Sequence, residues 1–170
     1  MKNNSRFLAI DFETANYYPN SACAVGLVTV DKGRIKKKNV YLIRPPYKHF
    51  EFTDVHGITW KDVRSKPTFG ELWEDIVDQF QGVDFLVAHN ASFDSRVLQA
   101  CCSTYGIDMP DKIFQCTVHL SRSVLGIRPA NLPNVCRELG IKLNHHDAGS
   151  DSEACARIMI EILKNNFSVA

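Results

Sequence analysis

Two carboxylates one residue apart, Asp11 and Glu13, follow the apolar run Phe7-Leu8-Ala9-Ile10. In an extended chain residues i and i+2 point to the same side, so both acids project together from the carboxyl end of a strand buried on both faces. That rim is where open α/β sheets bind ligands. Two more acids sit where a helical carboxylate is not expected, on an apolar stripe instead of the solvated side. Asp94 lies three, four, seven and eleven residues before Val97, Leu98, Cys101 and Tyr105, and Asp151 lies four, seven and eleven before Cys155, Ile158 and Ile162. Each therefore stands at the amino end of a buried helical face. Either acid alone is accounted for by the helix macrodipole, but four carboxylates entering one rim repel strongly unless a cation sits among them. Arg96 is the only basic residue near these stretches, so a divalent metal is the simplest counter-charge. All-oxygen ligation points to Mg²⁺ or Mn²⁺ in preference to zinc.

The elements that position these acids follow from periodicity and turn chemistry. After the opening strand, residues 22–30 and 34–44 read as two strands joined by Asp31-Lys32-Gly33, so strands one to three form an antiparallel meander. Lys36, Lys37 and Lys38 fit an edge strand guarded against unwanted pairing, with a phosphate-tracking patch as the sharper reading. Pro45 and Pro46 open a long connection through His56-Gly57-Ile58-Thr59. Thr68-Phe69-Gly70-Glu71 is a capping box leading into an amphipathic helix. A short buried strand, Phe85 to Ala88, runs into His89-Asn90-Ala91-Ser92-Phe93-Asp94 and a helix. A last short strand is expected at 113–116, a helix at 117–125 and another ended by Gly140. The final helix is expected to begin at Ser150, where Ser150-Asp151-Ser152-Glu153 reads as a second capping box.

The chain has 170 residues, 45% of them hydrophobic, which suits one core and not two, so one domain is expected over 1–170 with a motif-bearing core at about 6–165. Its 20 basic and 19 acidic residues give a net charge of +1, which excludes the broadly basic surface of a nonspecific duplex binder. The six cysteines show no CxxC spacing and sit in apolar neighbourhoods, which fits a reducing cytoplasm. No stretch approaches the roughly 18 apolar residues of a membrane span, and no membrane partner is expected.

Asp11-Phe12-Glu13-Thr14, His89-Asn90-Ala91-Ser92-Phe93-Asp94 and His146-Asp147-Ala148-Gly149-Ser150-Asp151 resemble the three motifs of the DEDDh exonucleases, a family that includes the proofreading epsilon subunit of the bacterial replicative polymerase. His56-Gly57-Ile58-Thr59 resembles that group's nucleotide-contact loop. The resemblance implies a ribonuclease H-like α/β fold: a mixed five-stranded sheet, three strands in an antiparallel meander and two parallel, flanked by helices. It also implies metal-dependent removal of nucleoside monophosphates from a 3′ end, with two ions about 4 Å apart. Asp11 would bridge them, Glu13 and Asp151 would complete one shell, and Asp94 would hold the other ion. His146 would be the general base, with its neighbour His145 as rival. Phe12, Thr14, His56, Asn90 and Phe93 match positions that hold the terminal nucleotide. Two departures, Ala15-Asn16 after the first motif and Gly149 in the third, bear on the fit of the terminal base and not on the ligands. The expected partner is a nucleic-acid 3′ end, single-stranded DNA or a DNA terminus before RNA, with a polymerase or other replication or repair protein as further partner. The alternatives are RNA-end trimming and a non-catalytic module that binds nucleic-acid ends or a polymerase.

Overall fold

The computed structural model describes residues 4–165. Strand β1 (Arg6–Thr14) lies at the centre of a five-stranded sheet of order β3-β2-β1-β4-β5, with β2 at Ala22–Asp31, β3 at Arg34–Leu42, β4 at Phe85–Ala88 and β5 at Phe114–Cys116. The β1–β2 and β2–β3 pairings are antiparallel, and β1–β4 and β4–β5 are parallel. The lysine-rich third strand is an edge strand, as its composition anticipates, and Lys36, Lys37 and Lys38 are all exposed.

Alternation along β1 feeds two apolar layers. Phe7 and Ala9 join one layer, together with Val135, Cys155, Ile158 and Met159, while Leu8, Ile10 and Phe12 join the other with Leu72, Ile76, Val97 and Leu98. The first layer lies under α5 (Thr117–Ser123), α6 (Leu132–Leu139) and α7 (Ala148–Lys164), and the second under α3 (Phe69–Phe80) and α4 (Ala91–Thr104). The period-2 side-chain pattern of a strand thus decides that Asp11 and Glu13 face the α7 side.

The structure departs from the sequence reading in several places, and β3 ends at Leu42, two residues before the expected Arg44. Helix α7 starts at Ala148, capped by Asp147, whose side chain accepts from the Ser150 amide at 2.8 Å, so the expected start at Ser150 is corrected. Ser150 already lies in the first turn, its amide donating to the Asp147 cap and its hydroxyl accepting from the Asn144 amide at 2.7 Å. The connection after β3 holds two one-turn helices, α1 (Thr53–His56) and α2 (Trp60–Val63), too short for a periodic signal. Helix α5 ends at Ser123, before the expected Leu125.

Candidate active site

The carboxyl ends of the parallel strands β1 and β4 open on the same rim, and the helix that follows each determines what reaches it. Pairing between β1 and β4 stops at Ala9↔Val87, so the edge of β1 beyond Ala9 is free of β4. Asp94, in the first turn of α4, takes the Phe12 amide at 3.0 Å through Oδ1. This bond holds the 1%-exposed Asp94 beside Asp11 and Glu13, although α4 belongs to the opposite layer. A break in the β1–β2 register between Glu13 and Thr14 bends the strand end, a device common next to active sites.

Helix α7 delivers Asp151 from the other side. Carboxylate oxygens of Asp11, Glu13 and Asp151 lie within 4.8 Å of one another. Burial, followed by the charges of Asp94, Asp151, Glu13 and Asp147, drives the Asp11 carboxyl well above the usual range. Burial likewise pushes Glu13 up to about 8, with the Asp151, Asp94 and Asp147 charges adding to it. Burial also raises Asp94, against the hydrogen bond from Phe12, and Asp151, against the bonds from His146 and His145. The buried Oδ1 of Asp151 has no hydrogen-bond partner among the described residues. Mutually repelling acids, one with a vacant buried oxygen, fit a hard divalent cation. The three-acid trio and Asp94 beside it are the residues able to hold one.

Asp151 Oδ2 faces the paired histidines. The His145 ring Nδ1 lies 2.9 Å from it, and the His146 main-chain amide donates to it at 3.0 Å. The two rings stack at 3.8 Å, and the His146 backbone is left-handed at φ +66°. In this arrangement His145 holds the carboxylate through its side chain and His146 through its backbone. The side chains of the two histidines and Asp151 form a second trio within 4.8 Å.

The residues matched to nucleotide contacts separate into two groups. The Phe12 ring, 3% exposed, is packed under the sheet with Phe69 at 6.4 Å, while its main-chain amide meets Asp94 at the acids. His56 donates from Nε2 to the Thr14 carbonyl at 3.1 Å and accepts the Ile58 amide on Nδ1 at 3.0 Å. Both ring nitrogens thus fasten the loop to the end of β1, and burial lowers the pKa of the imidazole. Asn90 is exposed in a left-handed conformation (φ 67°), its side chain makes no cap, and its Oδ1 accepts from the Ser92 hydroxyl. Phe93 is half-buried one residue before Asp94, and Thr14 is buried at the bent strand end.

Two positioning residues carry no chemistry of their own and were not singled out from the sequence. Gly26 pairs with Asp11 across the β1–β2 ladder, and a Cβ there would lie 1.9 Å from the Ala148 carbonyl oxygen and 2.4 Å from the Ser152 hydroxyl. The bare backbone of β2 thus admits the first turn of α7, which carries Asp151. An isolated glycine inside a strand is the available signal for such a close approach. Asp147 caps α7 and adds its charge to Asp11 and Glu13.

The RNase_T exonuclease family model matches residues 8–159, a span that includes the acid-bearing end of β1, both acid-bearing helix starts and the histidine pair. The chain belongs to this exonuclease family. Exodeoxyribonuclease 10 of Escherichia coli strain K12 is 31% identical over 165 residues, covering 92% of this chain and 68% of that protein. The PolC-type DNA polymerase III of Thermotoga petrophila is 27% identical over 169 residues, and the chain spans only 12% of its length. The 3′-5′ exonuclease DinG of Bacillus subtilis strain 168 is 29% identical over 168 residues, of which the chain spans 18%. Among solved structures, exonuclease X in complex with 5′ overhanging duplex DNA superposes with a TM-score of 0.76 at 24% identity, over 95% of this chain and 94% of that one. These likenesses bear out the ribonuclease H-like mixed sheet expected for the exonuclease domain. Among the described residues no helix is long and apolar enough to cross a membrane.

Proposed function

We propose that the chain is a hydrolytic 3′-5′ exonuclease acting on the 3′ end of DNA, with Mg²⁺ or Mn²⁺ held by Asp11, Glu13, Asp94 and Asp151. The observation that carries this reading is the acid trio within 4.8 Å, with the orphaned Asp151 oxygen, inside a family-matched span. Bound divalent ions supply the charge that stabilises the attacking and leaving oxygens of an in-line displacement. The protein's own contribution is to hold four carboxylates against their repulsion, by the β1 backbone on one side and by the Gly26 gap on the other.

His146 takes the proton of the attacking water, a role suited to an imidazole with a reference pKa of about 6.5. His145 keeps Asp151 oriented through its 2.9 Å contact. The Asn90 amide and the Thr14 hydroxyl grip sugar and phosphate, and the half-buried Phe93 borders the terminal base. DNA is favoured by the 31% identity to an exodeoxyribonuclease. Similarity to PolC-type polymerases and to DinG supports a replication or repair setting, in which a polymerase presents the 3′ end.

The test is digestion of 5′-labelled DNA and RNA oligomers with Mg²⁺, Mn²⁺ or EDTA. Products shortening stepwise from the 3′ end, absent with EDTA and faster on DNA, are expected; cleavage confined to internal positions refutes the reading. His146→Ala is expected to abolish turnover and His145→Ala to weaken metal-dependent activity, and the reverse outcome overturns the assignment of the base.

A further inference from the structure

Immediately beyond Glu13 and Thr14 the chain turns through Ala15-Asn16-Tyr17-Tyr18, which opens on the Ala15-Asn16 pair that follows the first motif. Asn16 is 2% exposed, and its side chain organises the turn: Nδ2 donates to the His49 carbonyl at 2.8 Å and Oδ1 accepts the Tyr18 amide at 3.0 Å. The Ser21 hydroxyl closes the same turn, donating to the Asn16 carbonyl at 3.0 Å. A second loop is fastened alongside, with the Glu51 amide bonded to the Ala15 carbonyl at 2.7 Å.

What these fixed loops display is aromatic. Tyr17, Tyr18 and Tyr47 are 80%, 64% and 48% exposed, and with Val55 they make up four of the six exposed large hydrophobic residues among those described. They form one surface: Tyr17 meets Phe52 edge-on at 4.7 Å between ring centroids, and Tyr18 lies 5.6 Å from Tyr47. Scattered apolar side chains need no explanation, but a clustered set held by a buried amide does. Tyr17 is four residues from Glu13, at most about 14 Å of chain, within reach of the first few nucleotides upstream of a scissile phosphate held at the acids.

We infer that Tyr17, Tyr18 and Tyr47 form a stacking platform for the unpaired bases just upstream of the terminal nucleotide, which makes a single-stranded 3′ end the substrate. This rests on the proposed exonuclease reading and specifies its substrate. Stacking on aromatic rings is tolerant of sequence, since every base has a π-face, and the pinned loop lowers the entropy cost of binding. The exposed Lys48 next to Tyr47, 5.8 Å over the Trp60 ring, adds a cation for the backbone phosphates.

The experiment compares wild type with Tyr17→Ala, Tyr18→Ala and Tyr47→Ala on a single-stranded 12-mer and on the p-nitrophenyl ester of thymidine 5′-monophosphate, which has no upstream base. The variants are expected to raise KM for the 12-mer by about fivefold to a hundredfold per lost base contact, with kcat and ester hydrolysis retained. A 12-mer abasic at its second to fourth positions from the 3′ end should be bound equally by wild type and variants. Unchanged KM on the normal 12-mer, including the outcome that the patch serves a protein partner, overturns the platform, as does an equal loss on both substrates. Anisotropy of a labelled 12-mer in EDTA reads the same contacts without turnover. Tyrosine-dependent binding by a protein that cleaves neither substrate would refute the exonuclease reading and leave the platform standing.

Discussion

Gly26→Ala places one methyl group where the structure has no room for it. The added carbon would lie 1.9 Å from the Ala148 carbonyl oxygen, against about 3.4 Å for ordinary contact, so α7 or β2 must shift by about 1.5 Å. The obstacle is main chain: removing the Ser152 hydroxyl, 2.4 Å away, relieves only part of it. Overpacking of this kind costs about 1–3 kcal/mol, or roughly 2–12 °C of melting temperature in a domain of this size. The larger effect falls on the site, because the displaced turn carries Asp151. A misplacement of about 1 Å is worth on the order of 100-fold in rate. The assay is kcat/KM on a single-stranded oligomer alongside thermal melting with and without Mg²⁺. The expected result is a folded protein with activity down about 100-fold and a blunted thermal response to metal, and Gly26→Ala/Ser152→Ala should recover little of either. Activity and metal response within a factor of two of wild type would refute the argument that this gap positions Asp151.

Other expectations follow from the same contacts. Gly149→Ala meets mainly the Val40 side chain, at 2.5 Å, so its cost should be smaller and should be relieved by Val40→Ala, read as melting temperature in the double variant. Asp11→Asn removes a carboxyl whose ionisation burial and its acidic neighbours oppose, so the metal-free variant should melt higher than metal-free wild type near neutral pH. The same variant should lose the stabilisation by metal, about 2.7 kcal/mol at a hundred times the dissociation constant, that melting of wild type displays. Glu13 is raised from 4.5 to about 8, so the native state keeps a proton that the unfolded chain loses, and this contribution is complete below about pH 4.5 and lost as pH rises to about 8. The shift corresponds to about 5 kcal/mol, reduced to about 2 kcal/mol by screening at a partly exposed group. Urea unfolding in EDTA at pH 5 and pH 8 should show that decline in wild type relative to Glu13→Gln, and parallel pH profiles would contradict it.

Local patterns in the sequence are sufficient for much of this protein. The alternation that puts Asp11 and Glu13 on one side of β1, the helical spacing that puts Asp94 and Asp151 on buried faces, the lysine-marked edge strand and the meander all depend on near neighbours, and the structure reproduces each. The matched family span runs through the same residues. Other features needed contacts distant in sequence. Phe12 falls on the face opposite the acids by the same alternation, but that its ring meets Phe69 of α3 depends on packing distant in sequence. That both His56 nitrogens fasten its loop, Nε2 to the Thr14 carbonyl 42 residues away, is not visible from the His56-Gly57-Ile58-Thr59 stretch. The expected α7 start at Ser150 gives way to Ala148 because Asp147, three residues earlier, accepts the Ser150 amide while the Ser150 hydroxyl accepts the Asn144 amide.

Residue type and spacing determine which groups can do chemistry, since both follow from the repeat of a strand or a helix. Which of them meet is decided by tertiary packing: the Phe12 amide left free where β4 ends, the missing Cβ of Gly26 and the buried amide of Asn16. These are a hydrogen bond across 82 residues, a steric gap and a loop clasp, and no period along the chain encodes them.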